Sequence, residues 1–155
     1  MCTFSKTTLM LALAVDSCLP VTSMAAHRLR HCEAEADIDR LRADIRGDCH
    51  GWRLTVRYEI EIEDARRGEA FELLLNVYEN GRPVTDEHGR VMTVVVPLDC
   101  PSDVDDDEVE FEGKIRTEFT KGAISCPRSL KLRGKVVPRG HGAVLDEKCV
   151  KVDCD

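Results

Sequence analysis

The segment WRLTVRYEIEIE, residues 52–63, decides the fold class because apolar and polar residues alternate in it without a break. Every second residue from Trp52 to Ile62 is aromatic or aliphatic, and the residues between them are polar or charged. A period of two places one set of side chains on each face of an extended strand. The segment is therefore predicted to be an antiparallel strand with one buried and one solvated face.

The same alternation returns along the rest of the chain, between turn signals. It predicts further strands at residues 71–78, 91–98, 109–119, 130–136 and 149–154. Asn80-Gly81 is a hairpin signal because both residues tolerate positive φ, and residues 86–89 form another turn. Pro83 restricts the segment that follows the hairpin to a sheet edge. About seven strands at this spacing are typical of an immunoglobulin-like or fibronectin-III-like antiparallel β-sandwich.

One segment has the spacing of a helix. Ala34, Ile38, Leu41 and Ile45 recur on one helical face, with acidic residues before them and arginines after them, as the helix dipole favours. These features predict a short N-terminal helix at residues 32–49. A strand start is the alternative, since residues 32, 34, 36 and 38 also alternate.

The N-terminal residues 1–25 are predicted to be a signal peptide. Lys6 precedes the apolar run TTLMLALAV, and the small residues Ser23 and Ala25 stand where a signal peptidase cuts, after Ala25 or Ala26. The apolar run is shorter than the about 20 residues that a spanning helix needs. We therefore expect a secreted or periplasmic protein without stable membrane insertion, with residues 26–155 as a single domain. Lipidation at Cys18 is the alternative route of export.

Six cysteines follow the predicted leader, and an even number in an exported chain predicts disulfides rather than a zinc site. They are Cys32, Cys49, Cys100, Cys126, Cys149 and Cys154. If residues 149–154 are extended, their two cysteines lie about 16 Å apart at about 3.3 Å per residue. A disulfide needs Cα atoms within about 7 Å, so these two are not expected to pair with each other. Pairing of Cys100 with Cys126 would close a loop around one hairpin.

An acidic run at residues 99–110 contains no basic residue and is the candidate metal site. Asp103, Asp105 and Asp107 could converge on calcium, which prefers carboxylate oxygens. The run lacks the EF-hand frame, because position six is not glycine and position twelve is Lys114. The alternative is a solvated loop that keeps a sheet edge soluble, with no cofactor bound.

A basic stripe lies between Arg128 and Arg139, where Lys131, Arg133 and Lys135 share one strand face. The stripe could bind an anionic ligand. We favour cross-strand pairing with the glutamates of residues 59–63 or 110–112, because the chain as a whole is acidic.

Composition and motifs argue against two classes of function. The 155 residues carry 29 acidic and 22 basic side chains, a net charge of −7 that disfavours nucleic-acid binding. The sequence contains neither a Gly-x-Ser-x-Gly elbow nor a phosphate-binding loop, so no catalytic residues are assigned. The sequence predicts a secreted, non-catalytic β-sandwich that binds an unknown protein partner. Residues 91–98, or the edge beside Pro83, are the expected place for strand addition. The alternative function is an exported calcium-binding domain.

Overall fold

The computed structural model describes residues 33–47, 51–102, 108–120, 129–140 and 142–154. The chain divides into two units, Met1–His31 and Cys32–Asp155, and every described residue belongs to the second. The predicted signal peptide therefore lies outside the described residues. Within them the regular structure is eight strands: β1 (Glu35–Gly47), β2 (Gly51–Glu63), β3 (Ala70–Glu79), β4 (Arg82–Pro83), β5 (Thr93–Asp99), β6 (Glu108–Thr120), β7 (Leu130–Pro138) and β8 (Asp146–Cys154).

The strands form one curled sheet in the order β4-β3-β7-β8-β1-β2-β6, and β5 pairs with β3 on the same side as β4. Strand β8 joins the two halves. Its residues 146–151 pair antiparallel with β7, and its residues 152–154 pair parallel with β1. The mainly β prediction is confirmed. Nowhere in the described ranges does the chain form a helix long and apolar enough to cross a membrane.

The two halves of the sheet bury their facing sides in one core. Gly134 of β7 marks the contact, since a Cβ built on it would lie 3.0 Å from Leu41 of β1 and 3.5 Å from Leu73 and Leu75 of β3. A side chain at this position would be tightly packed against Leu41, so glycine lets β1 and β7 pack closely here. The largest fully buried side chains are Phe71, Ile38, Ile45, Leu54, Ile60, Ile62, Leu73, Leu75, Leu98, Leu130 and Leu132.

The prediction that residues 52–63 form a strand with one buried face is confirmed. Leu54, Val56, Ile60 and Ile62 are buried in β2, and the alternate residues of β3 are buried in the same way. The hairpin turn after β3 is also confirmed. Asn80 and Gly81 have φ angles of 51° and 82°, and Pro83 lies in the two-residue strand β4 at the end of the sheet order.

The predicted helix at residues 32–49 is wrong, because residues 35–47 form β1. Its pairing with β2 shifts between Asp37 and Arg40, so Ile38 and Asp39 together face one residue of the partner strand. This β-bulge changes the parity of the buried positions from even to odd. Ile38 and Leu41 are therefore buried at a separation of three residues, which imitates a helix in the sequence.

Side chains of β8 satisfy the backbone of the bulge. Asp146 Oδ2 accepts a hydrogen bond from the Ile38 amide at 2.8 Å. Lys148 Nζ donates to the carbonyl oxygens of Ile38 and Asp39. A bulge leaves ladder groups unpaired, and buried unpaired groups are costly, so these two side chains stabilise the bulged conformation.

Replacing Asp146 by alanine should lower the free energy of unfolding by about 1–3 kcal/mol, because the Ile38 amide loses its acceptor while Ile38 stays buried. Urea unfolding followed by circular dichroism measures the change. Asp153→Ala on the same strand is the matched control, since Asp153 is exposed. Equal stabilities of the two variants would contradict the role of Asp146.

Candidate interaction surfaces

Strand β5 forms one edge of the sheet in the described part of the chain, where it pairs with β3 alone. The Cys100 amide donates to the Glu69 carbonyl at 3.1 Å, on the β3 side. Because backbone groups alternate along a strand, Val94, Val96 and Leu98 direct their amides to β3. Thr93 and Val95 then direct their backbone groups to the open edge.

Pro97 lies on the same alternation as Val95, so its nitrogen also faces the open edge. That is the position in which a strand tolerates proline, because no ladder hydrogen bond is lost. The prediction that residues 91–98 form an apolar strand is confirmed with a small shift, since β5 passes through Pro97 to Asp99. Pro97 therefore interrupts the outward-facing donors of this edge between Val95 and Asp99.

Apolar side chains remain open to solvent along β5. Val95 in β5 is 51% exposed, and Val91, just before the strand, is 48% exposed. Val94 and Val96 point toward the core but are only half-buried. On the outer face Val95 lies opposite the half-buried Leu74 of β3. The edge therefore offers apolar contacts on both faces next to unused backbone groups.

The turn that precedes this edge is held by one carboxylate. Asp86 Oδ1 accepts from the amides of His88 and Arg90, and Oδ2 accepts from Arg90 Nε, each at 2.9 Å. Hydrogen bonds from Arg90 and His88 lower the pKa of Asp86. The charged side chain thus fixes the turn that carries Val91 to the start of the edge.

The basic stripe is paired, but with other partners than predicted. Arg133 binds both carboxylate oxygens of Glu147 on β8, and Lys135 lies 3.6 Å from the same carboxylate. Arg139 pairs with Asp99 and with Glu72. The predicted acidic residues of 59–63 and 110–112 lie on β2 and β6, which do not neighbour β7 in the sheet.

Hydrogen bonding in this cluster shifts two pKa values in opposite directions. The bonds to Tyr78 and Glu147 raise the pKa of Arg133, and the bond from Arg133 lowers the pKa of Glu147. Both shifts favour the charged forms, so the pair stays ionised at neutral pH. Lys131 is exposed at the end of the stripe. The stripe is therefore largely neutralised within the sheet.

The predicted calcium ligands Asp103, Asp105 and Asp107 lie outside the described residues. Strand β6 begins directly after them, and the pairing of β6 with β2 and of β2 with β1 aligns carboxylates in two rows. The rows are Glu35–Glu63–Glu108 and Asp37–Glu61–Glu110. Among the residues that the structure describes, no group of three possible ligands is arranged to hold a metal ion. The rows are instead a region of like-charge repulsion.

Replacing Glu61 by glutamine should raise the melting temperature at neutral pH. Repulsion from Glu108, then burial, Asp39 and Glu63 raise the pKa of Glu61 above the ordinary value of a glutamate. The folded protein therefore binds this proton more readily than the unfolded chain, so stability increases as pH falls from about 7 toward the unfolded pKa. The variant should lack that part of the increase.

Thermal unfolding at several pH values measures the effect. Glu118→Gln is the control, because the Glu118 carboxylate accepts hydrogen bonds from Arg53 and gains from its charge. A Glu61→Gln variant that is less stable than the wild type at neutral pH would show that the rows attract rather than repel.

Cysteines of the described segments do not all form disulfides. Cys100 and Cys149 are free thiols, so the suggested pairing of Cys100 with Cys126 is not formed in this structure. Cys100 is part of the buried core, where burial and the nearby Glu69 and Asp99 raise the pKa of its thiol. It packs as a small apolar side chain. Cys149 is exposed and is not joined to Cys154, which is not among the free thiols.

The remaining three predicted disulfide cysteines, Cys32, Cys49 and Cys126, lie outside the described residues. Their pairing stays a prediction, as does export of the chain.

Comparison with known proteins gives structural likeness without a family. No protein-family model matches the chain, and no curated protein matches it in sequence. Bacteroides uniformis beta-glucuronidase is 15% identical with a TM-score of 0.44, covering 76% of this chain and 12% of its own. A putative beta-galactosidase from Bacteroides fragilis is 12% identical with a TM-score of 0.41, covering 77% and 16%.

A bacterial adhesin from Mobiluncus mulieris, which contains intramolecular disulfide, isopeptide and ester bond cross-links, is 9% identical with a TM-score of 0.43. The match covers 79% of this chain and 56% of the adhesin chain. This chain therefore spans only a part of each of these proteins.

Proposed function

We propose that this protein is an exported, non-catalytic β-domain that binds a partner protein by strand addition to the open edge of β5. The observation that carries the proposal is the edge itself. Thr93 and Val95 direct backbone groups away from β3, and Val95 is 51% exposed. An extended segment that hydrogen-bonds to such an edge gains main-chain bonds and buries alternate side chains.

The connectivity supports an immunoglobulin-like domain, a common scaffold for binding at edges and loops. Strands β1, β2 and β6 lie side by side, as do β5, β3, β7 and β8. If the strands are lettered in chain order, β6 corresponds to strand E and β7 and β8 correspond to F and G. The layers then match the A-B-E and C-F-G groups of that fold, with β4 and β5 as the added C′ strand.

The chemistry of the edge defines the partner segment. Val95 and Leu74 on the outer face favour an apolar side chain that packs beside them. Val94 and Val96 on the core side favour a second apolar side chain one residue away. Pro97 supplies no donor, so the Val95 amide is the last donor before it, although the Pro97 carbonyl still faces the open edge as an acceptor. The expected ligand is a short extended segment of a partner protein, rich in β-branched residues.

A random peptide library displayed on phage tests the proposal. The domain should select extended apolar peptides, and Val95→Pro should weaken their binding at least about tenfold, or about 1.4 kcal/mol. The variant removes a donor that faces the open edge, so pairing with β3 is kept. Val95→Thr is the matched control, since it keeps the donor and the branched shape.

If the selected peptides bind both variants with equal affinity, they do not pair with β5 at Val95, and the proposal is overturned. Methylating the peptide amide that pairs with Val95 gives a second measurement, which should abolish binding without any change to the domain. Unchanged melting temperature of Val95→Pro separates a binding effect from loss of folding.

A second candidate function is calcium binding by residues 99–110. The observation that favours it is the alignment of Glu108 and Glu110 with the carboxylates of Glu63 and Glu61, directly after the three aspartates. A divalent cation held by Asp103, Asp105 and Asp107 would also reduce this repulsion. Calcium should then raise the melting temperature of the wild type but not of a variant with these three aspartates replaced by asparagine. No shift at millimolar calcium would exclude the function.

A further inference from the structure

Strand β6 forms the second edge of the sheet within the described residues, at the opposite end from β5. It is 13 residues long, contains no proline, and pairs with β2 alone in the described chain. A long, regular edge of this kind is a template for another strand. Proteins usually block such edges with proline, a bulge or charged side chains, and of these β6 has only charges.

The outward charges of β6 are divided into an acidic and a basic half. Glu110 and Glu112 precede the middle of the strand, and Lys114 and Arg116 follow it. Within the described residues, none of these four side chains forms an ion pair with a neighbouring strand. Glu112 faces Glu59, which is already paired with Arg40, and Lys114 faces Arg57.

We propose that β6 pairs antiparallel with β6 of a second copy of this chain, about a two-fold axis at Gly113. In that register Glu112 lies opposite Lys114 of the other copy, and Glu110 lies opposite Arg116. Symmetry repeats each pair, so all four charges find partners. A two-fold interface of this type requires a surface that is complementary to itself, and β6 meets that condition.

The apolar side of β6 fits the same register. Phe111 comes to lie opposite Ile115 of the second copy, and both side chains are half-buried next to the core. At the axis, a Cβ on Gly113 would lie 2.2 Å from the Tyr58 hydroxyl oxygen, so the Tyr58 ring occupies the place of a side chain there. Cross-strand aromatic pairs of this kind stabilise a glycine at a sheet edge.

Neighbouring registers are less favourable. Moving the two-fold axis by one residue places it at Glu112 or at Lys114. In either case that residue lies opposite its own copy at the centre of the interface. Like charges directly opposite each other are destabilising. With the axis at Gly113, like charges meet only at the ends of the interface, where Glu108 lies opposite Glu118 of the other copy. Gly113 at the axis therefore gives the best pairing of charges.

A charge-exchange experiment with the full chain tests the dimer by sedimentation velocity. Wild type should dimerise, and Lys114→Glu with Arg116→Glu should raise the dissociation constant at least about tenfold. Glu110→Lys with Glu112→Lys should do the same. A mixture of the two variants should restore dimers, because the acidic edge then meets the basic edge.

Arg42→Glu with Lys151→Glu is the matched control, since it changes the net charge equally at exposed residues of β1 and β8, away from β6, and should leave dimers intact. A monomeric wild type at about 100 µM overturns the proposal, because a dissociation constant above that value corresponds to weak contact. Failure of the mixture to dimerise also overturns it, and circular dichroism confirms that each variant is folded.

Cysteine cross-linking in a Cys149→Ser background tests the register. Glu112→Cys combined with Lys114→Cys should form a disulfide between copies, since directly opposite Cα atoms lie about 4.5–5.5 Å apart. Glu112→Cys alone should not, because its two copies are diagonal neighbours about 7–8 Å apart. Cross-linking of Glu112→Cys alone would contradict the axis at Gly113. The dimer does not depend on strand addition at β5, so either result stands without the other.

Discussion

Deleting Asp44 should abolish folding, whereas deleting Asp39 five residues earlier should leave a folded domain. Both residues lie in β1, and both deletions shorten the strand by one residue. The difference comes from the side-chain period of two, because a shift of one residue exchanges the two faces of a strand.

Loss of Asp44 forces arginine toward the core in either direction of slippage. If the end of β1 moves, Ile45 turns outward and Arg46 turns toward Leu54. If the preceding part moves, Leu41 turns outward and Arg42 turns toward Val56. Ile45, Leu54 and Val56 are at most 2% exposed. Losing one buried aliphatic side chain and desolvating one charge together remove several kcal/mol, from a total of about 5–15 kcal/mol.

Loss of Asp39 removes the bulge and keeps both faces of β1. Ile38 then lies alone opposite Ile60, with Arg40 outward and Leu41 inward. The cost is limited to the contacts of Asp146 and Lys148 with the bulge, about 1–3 kcal/mol. Circular dichroism and urea unfolding of the two deletions measure the contrast. A folded Asp44 deletion, or an unfolded Asp39 deletion, would contradict the assigned bulge.

Replacing Phe71 by alanine should lower the free energy of unfolding by about 3–5 kcal/mol. Phe71 lies in β3 with 0% exposure, between its partners Leu98 of β5 and Pro138 of β7. Truncation loses apolar burial and leaves a cavity in a closely packed layer. For a domain of this size the melting temperature should fall by at least about 10 °C.

Val95→Ala is the matched control for Phe71→Ala, because Val95 lies on the neighbouring strand β5 and is 51% exposed. Its effect should stay within about 0.5 kcal/mol. Chemical unfolding of the two variants under one set of conditions gives the comparison. Similar losses in both variants would contradict burial as the cause of the larger loss expected for Phe71→Ala.

Local alternation was enough to predict most strands and one of the edges. In β2 and β3 every buried residue follows the period of two, since the strands are regular and one face of each meets the core. The Asn80-Gly81 turn and the edge position of Pro83 follow from backbone sterics alone, and both were predicted. These features depend on neighbouring residues in the chain, so the sequence contains them directly.

The features that the sequence did not predict depend on contacts between residues that are far apart in the chain. The bulge at Ile38 is supported by Asp146 and Lys148, which lie 108 or more positions along the chain, and no local pattern reveals such partners. The predicted partners of the basic stripe were wrong for the same reason, because the order of strands in the sheet determines which carboxylates lie next to β7.

The sequence by itself determined that the protein is mainly β, which residues face inward, and where its tight turns lie. Only the tertiary structure decided that β1 is a bulged strand, that Glu147 neutralises the basic stripe, and that β6 forms the edge opposite β4 and β5 in the described chain. The physical reason is range: alternation and turn sterics act within a few residues, whereas strand order is set by burial summed over the whole core.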